Sequence, residues 1–144
     1  MNKQPSSTGL RPLSDVATGP AGAARPAMAV LDKRALAELR LLDPDGRSEL
    51  IPRVYSSYLK SLTLLSLQLT QARQQGDSLA MNRAVHTLKS SSASVGALGL
   101  SNVCVAVETC LRAGTADQLP DLLNQLLSEA ARVEDAVPYF LSEQ

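Results

Sequence analysis

The residues best suited to chemistry in this sequence lie in one short stretch, AVHTLKSSSAS at positions 84–94. It contains His86, the only histidine among 144 residues, and Lys89 follows three positions later. A free imidazole is largely neutral near pH 7, so one ring nitrogen keeps a lone pair that can attack an electrophile. An ammonium group one helical turn further on can neutralise an anion held at the ring. The spacing therefore indicates an anion site with a nucleophile at its centre.

Other chemistries for the same residues lack the groups that they need. A metal site requires three or four ligands, whereas the chain offers one histidine and two cysteines, Cys104 and Cys110, whose spacing on a helix puts them roughly 240° apart. A serine or cysteine hydrolase needs an orienting third group and an oxyanion site, and no such motif is present. The plain alternative is an exposed histidine without a role, because a lysine at this spacing is common on any solvated helix face. If the histidine and the lysine were the whole pattern, this plain alternative would be the better interpretation.

The helix that carries His86 is predicted from its caps and its apolar period. Gly76 ends the preceding helix, Asp77 is a suitable N-cap, and a third helix starts at about Ser78. At about 100° per residue, His86 shares one side of this helix with Arg83, Lys89, Ser90 and Ala93. The opposite side carries the apolar stripe, which consists of Met81, Ala84, Val85, Leu88 and Ser92. His86 is therefore predicted to be exposed.

The remaining segments predict more helices around this one. Residues 1–27 are rich in Pro, Gly, Ser and Ala and are interpreted as a flexible leader or linker, and residues 28–144 as one helical domain. The other predicted helices are a short one from Asp32 to Leu42, and longer ones from about Arg47 to Gln75, from after residue 99 to Ala113, and from about Asp117 to Leu141. Short connections between long amphipathic helices imply antiparallel neighbours. The fold class is predicted to be all-α: an up-and-down antiparallel four-helix bundle with a short additional N-terminal helix.

The composition of the chain limits the classes of partner that it could bind. Basic and acidic residues number 14 each, so no global positive field is available to recruit nucleic acid, and we expect none as a partner. There is no long uncharged apolar run and no signal-peptide pattern, so membrane insertion is not expected. Two cysteines packed as reduced thiols fit a cytoplasmic protein. We expect a monomer, because the bundle can bury its own apolar stripes.

A longer pattern around His86 carries a family resemblance. The chain reads H86-T-L-K-S-S-S, then V95-G-A-L-G-L, then Cys104 and Glu108, preceded by the run-in QQGDSLAMNRAVH. From about Val30 to Ala113 it resembles the histidine-containing phosphotransfer (HPt) domain family of two-component phosphorelays. The signature of that family is His-x-Leu-Lys-Gly-Ser-Ser, followed by a Gly-Ala pair and by a Leu, a Cys and a Glu in the next helix. The family glycine after the lysine is Ser90 here, which puts the efficiency of transfer or the choice of partner in question.

The resemblance implies a function. His86 would accept a phosphoryl group from an aspartate of one receiver domain and pass it to another, with Lys89 supplying charge and Arg83 a weaker candidate for that role. Receiver domains of hybrid sensor kinases and response regulators would dock over the third helix and the adjoining second helix, near Arg83, Ser90 and Ala93. No cofactor of its own is implied, and Mg²⁺ would come from the receiver. No nucleotide-binding loop is visible, so kinase activity from ATP is not expected.

Two other functions remain open from the residues alone. A helical docking module could regulate a partner by binding without accepting phosphate, and it would use the same surface. A purely structural helical domain is the other, although the whole signature speaks against it. The sequence names neither the donor nor the acceptor, and it fits both a free-standing protein and the end of a hybrid kinase.

Overall fold

The fold is all-α, as predicted. The structure, a computed structural model, describes residues 30–142, so the predicted leader at 1–27 lies outside the described residues. Within 30–142 there are no strands, and the helices are α1 Lys33–Leu42, α2 Leu50–Gln75, α3 Ser78–Ser94, α4 Leu98–Ala113 and α5 Leu119–Ser142.

The helix ends follow local capping chemistry. The carboxylates of Asp32 and Asp77 accept hydrogen bonds from backbone N–H groups in the first turns of α1 and α3, at 3.0 and 3.1 Å, as N-caps do. Gly76 ends α2 in the left-handed conformation with φ of 65°, which glycine adopts without strain. The predicted positions of both N-caps and of this C-terminal glycine are therefore confirmed.

The start of α2 differs from the prediction. The helix begins at Leu50 and not near Arg47. The carboxylate of Asp43, which is buried, accepts hydrogen bonds from the backbone N–H groups of Ser48 and Leu50 at 3.2 and 3.1 Å. These bonds hold the segment between α1 and α2 as a loop. The helices α4 and α5 likewise begin two residues away from the predicted starts, at Leu98 and Leu119.

The core combines the predicted apolar stripe of α3 with buried residues of the other helices. All five stripe residues of α3 are buried. The buried residues of the other long helices are Tyr55, Tyr58, Leu62, Leu65, Leu69 and Ala72 on α2, Leu100, Ser101, Cys104, Val107 and Cys110 on α4, and Leu123, Leu126, Ala130, Val133, Ala136, Val137 and Phe140 on α5. Both cysteines are free thiols. Burying these side chains is the main stabilising contribution, about 1.5 to 3 kcal/mol for each large apolar side chain.

Helix α3 lies between α2 and α4, and α5 packs against α4 and α2. Side-chain bonds from successive turns of α2 show the directions of its neighbours. Tyr55 reaches Val95 and Tyr58 reaches Ser92, so α3 runs opposite to α2. Thr63 bonds to Glu134 while Arg73 bonds to Asn124, and α5 therefore also runs opposite to α2.

Helix α1 is attached to the loop between α3 and α4. The backbone N–H of Asp32 donates to the carbonyl of Gly96 at 2.8 Å, and Gly96 has a φ of 84°. A Cβ at Gly96 would lie 2.7 Å from the Asp32 carbonyl oxygen, so a larger residue does not fit without displacing backbone. Within residues 30–142, none of the helices is both long and apolar enough to span a membrane.

Candidate functional site

His86 lies near the middle of α3 with its imidazole open to solvent. Its side chain is 63% exposed, which confirms the prediction from helical period. The ring is held from one side only: Nδ1 lies 2.9 Å from Oε2 of Glu108 on α4. Glu108 was identified in the sequence as part of the family signature, but no role was predicted for it.

Glu108 joins His86 to Lys89. Its second oxygen, Oε1, lies 2.7 Å from Nζ of Lys89, and only 12% of the Glu108 side chain is exposed. The hydrogen bond from the Lys89 ammonium holds the pKa of the Glu108 carboxyl below its usual value, because that bond and the one from His86 outweigh the opposing effect of burial. We call these three residues the His86–Glu108–Lys89 cluster.

The cluster selects one protonation pattern for the imidazole. An ionised carboxylate can only accept hydrogen bonds, so Nδ1 of a neutral His86 carries the proton that is donated to Glu108. The lone pair is then on Nε2, which makes no hydrogen bond within residues 30–142. The arrangement therefore presents a nucleophilic nitrogen toward solvent and a fixed carboxylate behind the ring.

Helix α4 is fixed to α3 beside the cluster. The hydroxyl of Ser101 donates to the backbone carbonyl of Lys89 at 3.0 Å. One turn later on α4, burial raises the pKa of the Cys104 thiol to about 12, and the nearby carboxylate of Glu108 adds to this effect. Cys104 is thus a protonated thiol at neutral pH and does not compete with His86 as a nucleophile.

On the other side of α3, two buried tyrosines of α2 fix the same helix. The hydroxyls of Tyr58 and Ser92 are 2.8 Å apart, and the Tyr55 hydroxyl donates to the carbonyl of Val95 at 2.9 Å. Burial raises the pKa of Tyr58 to about 12, the hydrogen bond with Ser92 acting in the opposite direction. Both hydroxyls therefore stay protonated, and α3 is held between α2 and α4 at the level of its second half.

The predicted docking residues lie on the exposed side of α3. Arg83, Ser90 and Ala93 are all exposed, as predicted, but none of them makes a side-chain hydrogen bond to the His86–Glu108–Lys89 cluster. Arg83 instead borders a groove between α2 and α3, with Gln68 and Gln71 on its far wall.

Two exposed apolar residues near the imidazole were not predicted from the sequence. Leu79, two turns before His86, is 61% exposed, and Val105 on α4 is 47% exposed. Both line the groove that contains His86. A spacing of seven residues puts Leu79 on the same side of the helix as His86, so the period held the signal for that residue. The position of Val105 depends on the register between α3 and α4, which period alone does not give.

The residues of this chain do not form a Mg²⁺ site at the cluster. Mg²⁺ is usually held by one or two carboxylates together with phosphate oxygens. Both oxygens of Glu108 are already engaged, one by His86 and one by Lys89. Across residues 30–142, no group of three or more His, Cys, Asp or Glu side chains is arranged to hold a metal ion.

Comparison with known proteins gives one family and two solved structures. The family model of the Hpt domain matches residues 53–136, which include the whole cluster. The crystal structure of histidine-containing phosphotransfer protein B (HptB) from Pseudomonas aeruginosa PAO1 is 26% identical, with a TM-score of 0.70 over 81% of this chain and 98% of that one. The HPT domain of the Hpt sensor hybrid histidine kinase from Shewanella is 28% identical, with a TM-score of 0.59 over 74% of this chain and 92% of that one. No curated protein sequence matches the chain.

Proposed function

The chain belongs to the Hpt domain family, and from this membership we propose that His86 is the residue that carries the phosphoryl group. Histidine phosphotransfer within a phosphorelay is the function that the family match and both structural relatives share. The observation that carries the assignment to His86 is its hydrogen bond to Glu108, which engages Nδ1 and leaves Nε2 without a hydrogen bond on a ring that is 63% exposed.

The transfer step is a substitution at phosphorus. The Nε2 lone pair attacks the phosphoryl group of an aspartyl phosphate, the Nε2–P bond forms, and the P–O bond to the aspartate breaks. The aspartate leaves as a carboxylate, and the proton on Nδ1 stays in place. No proton has to move, so the reaction depends mainly on alignment and on the neutralisation of charge.

Glu108 stabilises the charge that this step creates. When Nε2 shares its lone pair with phosphorus while Nδ1 keeps its proton, the ring gains positive charge. The carboxylate of Glu108, 2.9 Å from Nδ1, faces that charge directly. Because only 12% of its side chain is exposed, the interaction is screened less than a surface pair. Glu108 acts as a positioning residue that fixes the tautomer and stabilises the phosphorylated ring.

Lys89 supplies positive charge to the phosphoryl oxygens. Its ammonium has three N–H donors, and one of them is engaged with Glu108 at 2.7 Å. The others are available to an anion held at the neighbouring ring, because 32% of the side chain is exposed. The pair with Glu108 keeps the ammonium beside the imidazole before a phosphoryl group arrives.

We infer transfer from the aspartate of one receiver domain to that of another, with Mg²⁺ bound by the receiver and no kinase activity from ATP. The opposite directions of α2 relative to α3 and α5 support an up-and-down four-helix bundle of α2–α5, with α1 as the short additional helix. A monomeric cytoplasmic protein remains our expectation.

The test is phosphoryl transfer from a receiver. The full chain, a His86→Gln variant and a Thr87→Ala control are incubated with Mg²⁺ and phosphorylated receiver domains from a panel. The expected result is acid-labile, base-stable label on the wild type and on Thr87→Ala, and none on His86→Gln. Because His86 is the only histidine, phosphohistidine has one possible location in this chain. Absence of label from the wild type, with receivers that still bind, would support the non-catalytic docking module instead.

A further inference from the structure

A groove runs along the contact between α3 and α4 and contains the exposed edge of the His86–Glu108–Lys89 cluster. Its volume is about 680 Å³, and its walls include the exposed apolar side chains of Leu79 and Val105. At the far end of the same groove lies Arg112, in the last turn of α4. The proposed phosphotransfer mechanism gives Arg112 no role.

The charges of this groove are unevenly balanced. Lys89 is paired with Glu108, so one positive and one negative group largely cancel beside the imidazole. Arg112 is exposed, and its guanidinium makes no hydrogen bond or ion pair with any residue in the range 30–142. Arg112 therefore gives the groove a positive charge that nothing in the described chain compensates.

We propose that Arg112 is a specificity-determining residue, which pairs with an acidic side chain of a receiver domain docked over the α3–α4 groove. The inference rests on the proposed function, because it assumes that a receiver brings an aspartyl phosphate to Nε2 of His86. To that function we add one contact residue, Arg112, and the negative sign of the receiver charge that lies opposite it.

Three observations favour this side of α3 for docking. The cluster faces α4, since Glu108 belongs to that helix. The exposed apolar residues Leu79 and Val105 lie in the same groove as the ring, and such residues form the dry centre of an interface. The charge also fits, because a receiver that holds Mg²⁺ and an aspartyl phosphate has several carboxylates around its own site. The groove on the α2 side contains Arg83 and three glutamines, Gln68, Gln71 and Gln75, but it does not include His86.

Arg112 also has a structural function that must be separated from docking. A cation in the last turn of a helix interacts favourably with the free carbonyl groups there. A lysine at position 112 preserves this interaction and the charge, but it cannot form the bidentate bond of a guanidinium to a carboxylate. The substitution Arg112→Gln removes both the charge and the bidentate bond.

The experiment compares two phosphoryl donors. The full chain is labelled with a receiver domain that transfers to the wild type, and in parallel with phosphoramidate, a small donor that needs no docking surface. The variants are Arg112→Gln, Arg112→Lys and the matched control Arg132→Gln, which removes an exposed arginine from α5. KM and kcat are measured at low and high ionic strength, with phosphoramidate labelling as the check on folding and on the imidazole.

We expect Arg112→Gln to raise KM for the receiver about five-fold, as removal of a charge at the edge of an interface does, with kcat unchanged. Its KM should also depend less on salt, because the pair that salt screens is gone. Arg112→Lys should recover part of the loss, and Arg132→Gln should behave as the wild type.

Each other result rejects the inference in an identifiable way. Equal KM values for the wild type and Arg112→Gln at both ionic strengths would show that docking does not use Arg112, while transfer to His86 would stand. Slower labelling by phosphoramidate would place Arg112 in the imidazole chemistry and not in docking. No label on the wild type from either donor would overturn the proposed function and the inference with it.

Discussion

Helix α3 takes part in two hydrogen-bond networks that differ in exposure. On the α2 side, the Tyr58–Ser92 pair is buried, with exposed fractions of 5% and 0%. On the α4 side, Glu108 is bonded to an imidazole that is 63% exposed. The first network is closed to other partners, whereas the second leaves Nε2 open.

The difference separates stability from reactivity within a single helix. A buried hydroxyl that loses its partner retains its full desolvation cost, so the α2 side should dominate stability. An exposed ring can exchange a water molecule for a phosphoryl group without disturbing the core, so the α4 side should dominate transfer. Substitutions on the two sides should therefore affect different measurements.

The largest effect is expected from Glu108→Ala, measured as the rate of phosphoramidate labelling. Loss of a charge-assisted hydrogen bond worth about 1.5 to 3 kcal/mol corresponds to labelling that is about 10- to 100-fold slower. Because nothing then holds the proton on Nδ1, both ring nitrogens become available. NMR of the phosphorylated protein should show only Nε2–P in the wild type and both isomers in the variant.

Glu108→Gln is the matched control, because its amide oxygen still accepts the hydrogen bond from Nδ1. It should keep the single isomer and lose rate only through the missing charge. A Glu108→Ala protein that labels as fast as the wild type, on Nε2 alone, would show that the exposed network does not control reactivity.

The next largest effect is expected from Tyr58→Phe on the buried side. The substitution leaves the Ser92 hydroxyl without its partner in the core and should lower the free energy of unfolding by about 1 to 2 kcal/mol. Denaturant titration measures this loss, and phosphoramidate labelling should stay within about two-fold of the wild type.

The double variant Tyr58→Phe/Ser92→Ala provides the control for that prediction. With both polar groups removed, no buried hydroxyl is left unpaired, and the double variant should be more stable than the sum of the single changes implies. If the loss of unfolding free energy in the double variant equalled the sum of the two single losses, the Tyr58–Ser92 pair would make no specific contribution to stability.

Most of the fold could be predicted because it depends on local sequence. Asp32, Gly76 and Asp77 set helix ends through bonds within their own turns, and the stripe around Leu88 was identified by period. The start of α2 was predicted too early because Asp43 bonds across five and seven residues to Ser48 and Leu50, which short-range capping rules do not describe.

The candidate site was predictable only in part. Helical period showed that His86 is exposed and that Lys89 lies near it. The bond between His86 and Glu108 spans 22 residues and depends on the register of α3 against α4, which the period of each helix leaves undetermined. For the same reason, the sequence did not show that Val105 and Arg112 line the groove that contains the ring.

A smaller effect on the free energy of unfolding is expected when acid protonates Glu108 in the His86–Glu108–Lys89 cluster. The folded-state pKa of Glu108 lies below 4.5, the ordinary value for this group, because Lys89 and His86 favour its charged form. The stabilising contribution of the carboxylate is therefore complete above pH 4.5, and it is lost as the pH falls through the folded-state value. The free energy of unfolding of the wild type should exceed that of Glu108→Gln at pH 7, and the gap should narrow below pH 4.5.

Urea titrations of both proteins at several pH values between 3 and 7 measure this gap. The Tyr58→Phe protein serves as a reference, because its difference from the wild type involves no carboxylate. A gap between the wild type and Glu108→Gln that widens on acidification would contradict the assigned direction.

The smallest effect is expected from Ser90→Gly, which restores the residue found in the family signature. Ser90 is exposed on the side of α3 that carries His86, so the change removes only a hydroxymethyl group from the surface beside the ring. Glycine inside a helix should lower the free energy of unfolding by roughly 0.5 kcal/mol. Receiver-dependent transfer should become about two-fold faster, a change of about 0.4 kcal/mol, because the partner can approach more closely. Ser90→Thr, which adds a methyl group, should slow transfer from the receiver while phosphoramidate labelling stays unchanged. Equal receiver-dependent rates with Gly, Ser and Thr at this position would show that the docked receiver makes no close contact with residue 90.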